Sequence, residues 1–225
     1  MINQLSWKVG GQQGEGIEST GEIFSIALNR LGYYLYGYRH FSSRIKGGHT
    51  NNKIRVSTAP ATAISDDLDV LVAFDQETID VNVHELSAHG IVIADSKFSP
   101  TLPEGANGTL YSVPFTELAD SLGSSLMKNM VAVGASSAAL GLDLAAFQQL
   151  VEQIFAKKGE KIIQMNREAM AKGAEYFNEQ AGGSIDALQL KKADGQQRMF
   201  MIGNDAIALG ALAVSYTHLT LPTKA

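Results

Sequence analysis

The sequence predicts an α/β protein, with a mostly parallel sheet flanked by helices and a largely helical C-terminal half. Two nearly continuous apolar runs, residues 68–74 and 90–95, are typical of strands that are buried on both faces. Elsewhere, apolar residues recur every three or four positions, which is the spacing of an amphipathic helix. A chain of 225 residues, 45% of them hydrophobic, is long enough for one full α/β domain and part of a second.

The N-terminal segment has the pattern of a β-α-β unit. Residues 5–9 predict a strand, residues 17–31 a helix that ends at Gly32, and residues 33–36 an aromatic, β-prone strand. Strands joined in this way are expected to be parallel, with a right-handed crossover. Residues 53–57 alternate polar and apolar side chains, which predicts a further strand with one solvent-exposed face.

The rest of the chain is expected to add one more short strand and several helices. Asp75 is predicted to cap a helix that runs to about residue 88. Further helices are predicted over residues 114–122, 128–140, 143–154 and 161–180, and from residue 204. The helix at 128–140 is apolar nearly all round and should be buried. The remaining segments predict a loop (99–108), a short edge strand (109–113), a polar linker (184–197) and a strand (198–203).

Composition excludes several classes of function. With 18 basic and 23 acidic residues and a net charge of −5, the chain has no basic stripe for nucleic acid. It has no cysteine, so disulfides, thiolate nucleophiles and cysteine-ligated metals or clusters are excluded, and we expect a cytoplasmic protein. No signal peptide and no run of about 18 apolar residues is seen, so no membrane span is expected. His84 and His89 miss helical metal spacing, no nucleophile elbow occurs, and no metal-ligating or catalytic residue is assigned.

The first candidate site is a glycine-rich turn between the first strand and helix. Its candidate binding residues are Gly11, Gln12, Gly14 and Gly16. Backbone N–H groups and a helix N-terminus at such a turn can bind a phosphate. The turn matches neither a P-loop nor a Gly-x-Gly-x-x-Gly fingerprint, however, and Glu15 and Glu18 would repel an anion. A tight turn that needs glycine only for its backbone geometry therefore remains the alternative.

The second candidate site is a basic loop some thirty residues further on. Its candidate residues are Arg44, Lys46, Gly47, Gly48 and His49. Adjacent glycines beside basic side chains indicate close approach of the backbone to an anionic cofactor or a partner surface. The alternative is a charged, solvated loop without a ligand.

Three segments together resemble one family, the 2-oxoacid:ferredoxin oxidoreductases. They are residues 9–17, residues 42–49 and residues 203–211, whose sequence is Gly-Asn-Asp-Ala-Ile-Ala-Leu-Gly-Ala. The resemblance is to the large subunit in which a γ-type domain precedes the α domain, and it covers about residues 1–213. It implies the fold of a γ domain and a substrate such as 2-oxoglutarate.

The resemblance also implies the chemistry and partners of the complete enzyme. That family decarboxylates a 2-oxoacid on thiamine diphosphate with Mg²⁺, passes electrons through [4Fe–4S] clusters to ferredoxin, and releases acyl-CoA. The thiamine site lies between the α domain and a separate β subunit. By this resemblance no cofactor is assigned to the chain by itself, and we expect it to be inactive without its partners. A stand-alone CoA- or nucleotide-binding module and a structural assembly domain are the alternatives.

The same resemblance divides the chain. Residues 1–185 correspond to the γ-type domain, 186–197 to a linker and 198–213 to the start of the thiamine-pyrimidine domain. The family's Tyr-Pro-Ile-Thr-Pro motif is expected soon after residue 211, but it is missing. Residues 214–225 instead resemble a translated adapter from transposon-based sequencing libraries, and we interpret them as read-through rather than as protein sequence.

Overall fold

The computed structural model describes residues 1–43 and 47–214, and these contain one six-stranded sheet. The strand order is β2-β3-β1-β4-β5-β6. The strands are β1 (Gln4–Gln12), β2 (Tyr34–His40), β3 (His49–Ser57), β4 (Leu68–Ala73), β5 (Leu86–Asp95) and β6 (Thr109–Val113).

Helices are present on both faces of this sheet. They are α1 (Ile17–Arg30), α2 (Gln76–Asn82), α3 (Phe115–Ser121), α4 (Lys128–Ala139), α5 (Leu144–Phe155), α6 (Glu160–Ala181) and α7 (Gly203–Ala213). The predicted α/β class with a helical C-terminal half is thereby confirmed. Within the described ranges, no helix combines the length and the apolar character needed to cross a membrane.

Strand directions confirm a mostly parallel sheet. The pairs β1–β4, β4–β5 and β5–β6 are parallel, whereas β3 is antiparallel to both of its neighbours. Strands β1 and β2, which α1 joins, are both antiparallel to β3 and therefore run in the same direction, as predicted. They are not adjacent, because β3 lies between them.

The larger core lies between the sheet and the helices α1, α4, α5 and α6. Trp7 at its centre is fully buried and stacks on Phe24, with ring centroids 4.2 Å apart. Its indole Nε1 donates to Ser136 Oγ at 3.2 Å, so the one polar atom of the ring is satisfied. A smaller core on the opposite face packs α2, through Ile79, on β4 and β5.

Most helix boundaries lie where the sequence predicts them. The carboxylate of Asp75 accepts from Thr78 N–H at 2.8 Å, and that of Asp143 accepts from Ala145 N–H at 2.9 Å, so both are N-caps. Gly32 and Gly182 follow helices with φ of 93° and 73°, the left-handed conformation that ends a helix. The apolar helix α4 is buried, as predicted.

Two predicted elements are wrong. The helix that starts after Asp75 ends at Asn82, and a 3₁₀ turn (Val83–Glu85) leads directly into β5. Leu86 pairs with Leu68 and is buried, so sheet pairing takes over residues that local periodicity assigned to the helix. The strand predicted over residues 198–203 is absent from the described residues, because this segment has no neighbouring strand with which to pair.

The polar segment predicted as a linker packs against the start of the chain. Ile2 N–H donates to Gln189 O at 2.8 Å, and Lys191 N–H donates to Ile2 O at 2.8 Å. Leu188 is buried in the larger core. This part of residues 184–197 therefore belongs structurally to the sheet domain, while the division into two domains remains a prediction.

An arginine holds the end of the same segment. The Arg198 guanidinium lies 3.9 Å above the ring centroid of Tyr34 and donates to Gly32 O at 2.8 Å. It also pairs with the Asp194 carboxylate and lowers the pKa of Asp194 to about 2. These contacts position the backbone that enters α7.

Helices α4 and α6 cross at glycines. A Cβ on Gly134 would lie 1.9 Å from Met170 O, and one on Gly173 would lie 2.1 Å from Val131 O. Neither of these backbone carbonyl oxygens can move without shifting its own helix, so the close crossing requires glycine on both helices.

We therefore expect Gly173→Ala to lower the free energy of unfolding by about 3 kcal/mol, since overpacking a close contact forces the backbones apart. The matched control is Gly210→Ala in α7, where a Cβ meets no atom within 4 Å. Because alanine favours helix, the control should be neutral or slightly stabilising. Urea denaturation of both variants tests this, and equal stabilities would contradict the close crossing.

Candidate functional site

The two candidate loops meet at the carboxyl edge of the parallel strands. The predicted glycine turn begins inside β1, since Gly11 and Gln12 pair with β3, and only Gln13 to Gly16 form the turn itself. Asp75 follows β4, and His49 begins the antiparallel strand β3 opposite Gln12. The chain leaves β1 toward β2 on one side and later returns to β4 on the other, so the strand order reverses between β1 and β4. In open α/β sheets, the crevice at such a point is where ligands bind.

One hydrogen bond joins the two loops directly. Gln13 N–H in the glycine turn donates to Gly48 O in the basic loop at 3.0 Å. The structure thereby brings Gly48 beside Gln13 and His49 opposite Gln12, whereas no backbone hydrogen bond joins Gly14 or Gly16 to the described part of the basic loop. Arg44 and Lys46 lie outside the described residues.

The glycines of the turn are explained by close packing. A Cβ on Gly16, which has φ of 81°, would lie 1.9 Å from Asn129 Nδ2. A Cβ on Gly11 would lie 2.8 Å from Ile17 Cδ1. Gly14 has open space around it but a φ of 101°, a conformation that favours glycine. These contacts account for the glycine pattern without a ligand.

A carboxylate of the turn itself occupies part of the predicted anion site. Glu15 Oε2 accepts from Gln12 N–H at 3.1 Å, and Glu15 Oε1 pairs with Lys128 Nζ at 2.6 Å. The ammonium of Lys128 also lies 5.3 Å from the Phe74 ring centroid. A phosphate at this position would have to displace Glu15 or be repelled by it.

The same edge carries several hydrogen-bond acceptors without partners. Gln13 Oε1, Asp75 Oδ2 and Asn129 Oδ1 are buried and accept no hydrogen bond from the residues described. Because buried acceptors are ordinarily satisfied, this edge suits a group that donates hydrogen bonds. His49 Nδ1 at the same edge is also buried without a partner, but the three acceptors disfavour a phosphate.

The tautomer of His49 follows from its neighbours. Lys8 Nζ can only donate, so its 2.9 Å contact identifies the oxygen of the Asn82 amide. The Asn82 Nδ2 atom then faces His49 Nε2 at 3.4 Å, and Asn51 Nδ2 lies 3.3 Å from the same atom. Nε2 is thus the acceptor, and Nδ1 carries the proton. Burial lowers the pKa of His49 below its ordinary value, which favours the neutral ring.

A buried charge cluster on the adjacent sheet face was not predicted. Lys8 and Lys53 are only 4% and 6% exposed, and they lie opposite each other on β1 and β3. Both bind Glu85, at 2.5 Å and 2.7 Å. Burial lowers the pKa of Lys8. Burial raises the pKa of Glu85, but hydrogen bonds from the two lysines outweigh it, and the net shift is downward.

This cluster corrects the exposed face predicted for residues 53–57. Lys53 is buried because the 3₁₀ turn carrying Glu85 folds over the sheet, and Lys53 also donates to Asp66 O at 3.1 Å. The one signal in the sequence is Lys8, a charge inside an otherwise apolar strand. Its pairing with Lys53 depends on strand register, which the sequence pattern does not reveal.

The lowered pKa of Glu85 makes its contribution to stability dependent on pH. The carboxylate should stabilise the fold fully above about pH 4.5, and this contribution should be lost as the pH falls through its lower folded-state pKa. Glu85→Gln should cost about 3 kcal/mol at pH 7, since it leaves two buried ammoniums without a counter-charge.

Urea denaturation at pH 7, 5 and 3 checks this expectation, with the exposed Glu104→Gln as control. The stability difference between wild type and Glu85→Gln should narrow at pH 3. A constant difference across this range would contradict an ionised Glu85 in the folded state.

Comparison with known proteins agrees with this architecture. The family model described as pyruvate ferredoxin/flavodoxin oxidoreductase matches residues 6–176. The 2-oxoacid:ferredoxin oxidoreductase subunit alpha of a Sulfolobus species is 27% identical over 251 residues, covering 93% of this chain and 38% of that protein. The chain therefore spans less than half the length of such relatives.

Solved structures show the same relationship. The 2-oxoglutarate:ferredoxin oxidoreductase from Magnetococcus marinus, with 2-oxoglutarate, coenzyme A and succinyl-CoA bound, has a TM-score of 0.84 at 30% identity and covers 94% of this chain and 37% of its own. The keto/oxoacid ferredoxin oxidoreductase γ subunit from Geobacter sulfurreducens has a TM-score of 0.69 at 23% identity, and the match covers 81% of this chain and 99% of that subunit. The predicted resemblance is confirmed, and the chain belongs to the pyruvate ferredoxin/flavodoxin oxidoreductase family.

Proposed function

We propose that this chain is the γ-type domain of the α subunit of a 2-oxoacid:ferredoxin oxidoreductase, with a 2-oxoglutarate-like substrate. The observation that carries the proposal is the match to the Magnetococcus marinus enzyme, which covers 94% of this chain but only 37% of that one. A γ subunit from Geobacter sulfurreducens has the same fold over 99% of its length. The chain thus corresponds to one unit of a larger enzyme that oxidatively decarboxylates a 2-oxoacid to its acyl-CoA.

In this proposal the chain supplies a binding surface and leaves redox chemistry to the rest of the complex. Without cysteine it offers no thiolate for an iron–sulfur cluster. Thiamine diphosphate, Mg²⁺, [4Fe–4S] clusters, the β subunit and ferredoxin all belong to the complete assembly. Its cytoplasmic location likewise remains a prediction.

The exposed helix α7 supports the assignment of residues 198–213 to the start of a second domain. Ile207 and Leu212 are 74% and 76% exposed, although both are large and apolar. Such side chains are typical of a helix whose packing partner lies elsewhere in a larger protein.

Within the site, we assign CoA to the basic loop rather than to the glycine turn. CoA carries phosphates, which cations bind well. At the turn, Glu15 and unpartnered acceptors disfavour an anion, whereas Arg44 and Lys46 supply two cations just before Gly47 and Gly48 in the sequence. In this proposal the turn has a structural role, because the bond from Gln13 N–H to Gly48 O holds the loop in place. The turn glycines and Gln12 maintain the backbone geometry that this bond requires; they are Gly11, Gln12, Gly14 and Gly16.

Charge reversal of the loop tests the assignment. In the complete enzyme, we expect Arg44→Glu with Lys46→Glu to raise the KM for CoA at least tenfold, because charge-assisted hydrogen bonds contribute about 1.5–3 kcal/mol each. Subunit assembly, measured by size-exclusion chromatography, should be unchanged. The matched control is Lys157→Glu with Lys161→Glu, which makes the same charge change at exposed positions.

An unchanged KM for CoA in an intact assembly would refute the role of the loop. Calorimetry of the purified chain with CoA separates the alternatives. Binding by the chain without partners would favour a stand-alone CoA-binding module. Failure to bind, together with an unchanged KM, would favour a structural assembly domain.

A further inference from the structure

An open groove lies on the face of the sheet opposite α1, α4, α5 and α6. Its volume is about 590 Å³. Helix α2 covers the β4–β5 part of this face, and the groove begins where that cover ends, over β1 and β3. Its polar lining includes Lys8, Tyr38, His49, Asn51, Lys53 and Glu85.

The floor of the groove carries an excess of buried positive charge. Lys8 and Lys53 are both more than nine-tenths buried, yet they share the single carboxylate of Glu85. The carboxylate of nearby Asp69 is used elsewhere, since it accepts from Ser6 N–H at 2.8 Å and from Ser87 Oγ at 3.2 Å. Lys8, Lys53 and Glu85 together therefore carry a net charge of +1, while the exposed Asp66 also lines the groove.

The two ammoniums also have unused hydrogen-bonding capacity. Each has three N–H donors. Lys8 donates to Asn82 and Glu85, and Lys53 donates to Asp66 O and Glu85, which leaves one donor on each without a partner among the described residues. Both lysines line the groove. A buried cation that lacks a full set of partners is costly, so an anion entering here would gain both charge and hydrogen bonds.

The remaining walls suit a small ligand. Tyr38, Ile64 and Val81 supply apolar surface, while His40 and His84 add polar groups. A single monovalent oxyanion would neutralise the excess charge. A larger ligand with several negative charges would be repelled by the carboxylate of Glu85.

We propose that this groove binds a small oxyanion, a carboxylate or a phosphate, on Lys8 and Lys53. The site is on the open face of the sheet. Its lining shares His49 with the basic loop, but it does not depend on the CoA contacts proposed for Arg44 and Lys46. The alternative is a closed ion cluster whose only role is to hold the Glu85 turn on the sheet.

Thermal unfolding of the 225-residue chain at pH 7 tests the proposal. Inorganic phosphate and acetate are titrated separately at constant ionic strength against sodium chloride. A ligand that binds only the folded chain raises Tm with its concentration. We expect a rise that saturates at millimolar concentration with one or both oxyanions, and the stronger of the two identifies the ligand class.

Two variants separate binding at this site from general salt stabilisation. Lys53→Met leaves Lys8 and Glu85 as a neutral pair, and it should abolish the saturable rise in Tm. Lys161→Met, at an exposed position, should retain it. The same saturable response in wild type and Lys53→Met would overturn the proposal, as would no response to either oxyanion in wild type.

A titration of the wild-type chain followed by ¹⁵N–¹H NMR gives an answer even if Lys53→Met does not fold. Backbone amides of Lys8, Lys53 and Glu85 should shift together and saturate. Shifts confined to residues outside the groove lining, or no shifts, would contradict the site. The CoA kinetics of the loop variant are measured separately. A negative result at the groove therefore leaves the proposed function untouched, and a negative result at the loop leaves the groove proposal untouched.

Discussion

The central strand β1 has to satisfy two chemically different faces at once. It is hydrogen-bonded to β3 on one side and β4 on the other, and its side chains alternate between the face covered by α1 and α4 and the face that carries the open groove. Trp7 and Lys8 are neighbours in sequence and therefore face opposite ways. Trp7 fills the core under the helices, whereas Lys8 requires a buried counter-charge, which Glu85 provides.

The same strand determines where the loops lie. Two of its last three residues, Gly10 and Gly11, are glycines because other elements converge there: a Cβ on Gly10 would lie 2.7 Å from Thr78 Cγ2, at the start of α2. Helix α1 begins directly beyond, and the antiparallel strand β3 delivers His49 to the same edge. Packing around β1 thus places both candidate loops together before any ligand is considered.

Two regions of opposite chemistry result, and one chain of hydrogen bonds connects them. Apart from His49 Nδ1, the carboxyl edge presents buried acceptors and the Glu15 carboxylate, while the open face presents two ammoniums. Asn82 lies between them, accepting from Lys8 and facing Nε2 of His49. The orientation of that amide, imposed by the lysine, decides which nitrogen of His49 carries the proton. The charge cluster on the sheet face therefore influences the chemistry of the loop edge.

Much of this protein could be predicted from the sequence because its signals are local. The apolar run at residues 68–74, the cap at Asp75 and the glycine after α1 each depend on nearby residues, and each is confirmed. The resemblance of three short segments likewise indicated the correct family.

Other features depend on contacts between residues far apart in the chain. Strand register places Lys8 beside Lys53, and pairing with Leu68 turns Leu86 from helix to strand. Packing against Asn129 and the hydrogen bond from Gln12 N–H to the Glu15 carboxylate give the glycine turn a structural explanation. A sequence pattern records which side chains are present and how they alternate. Only the tertiary structure decides which of them share a surface, and hence which charges are buried and which polar atoms have partners.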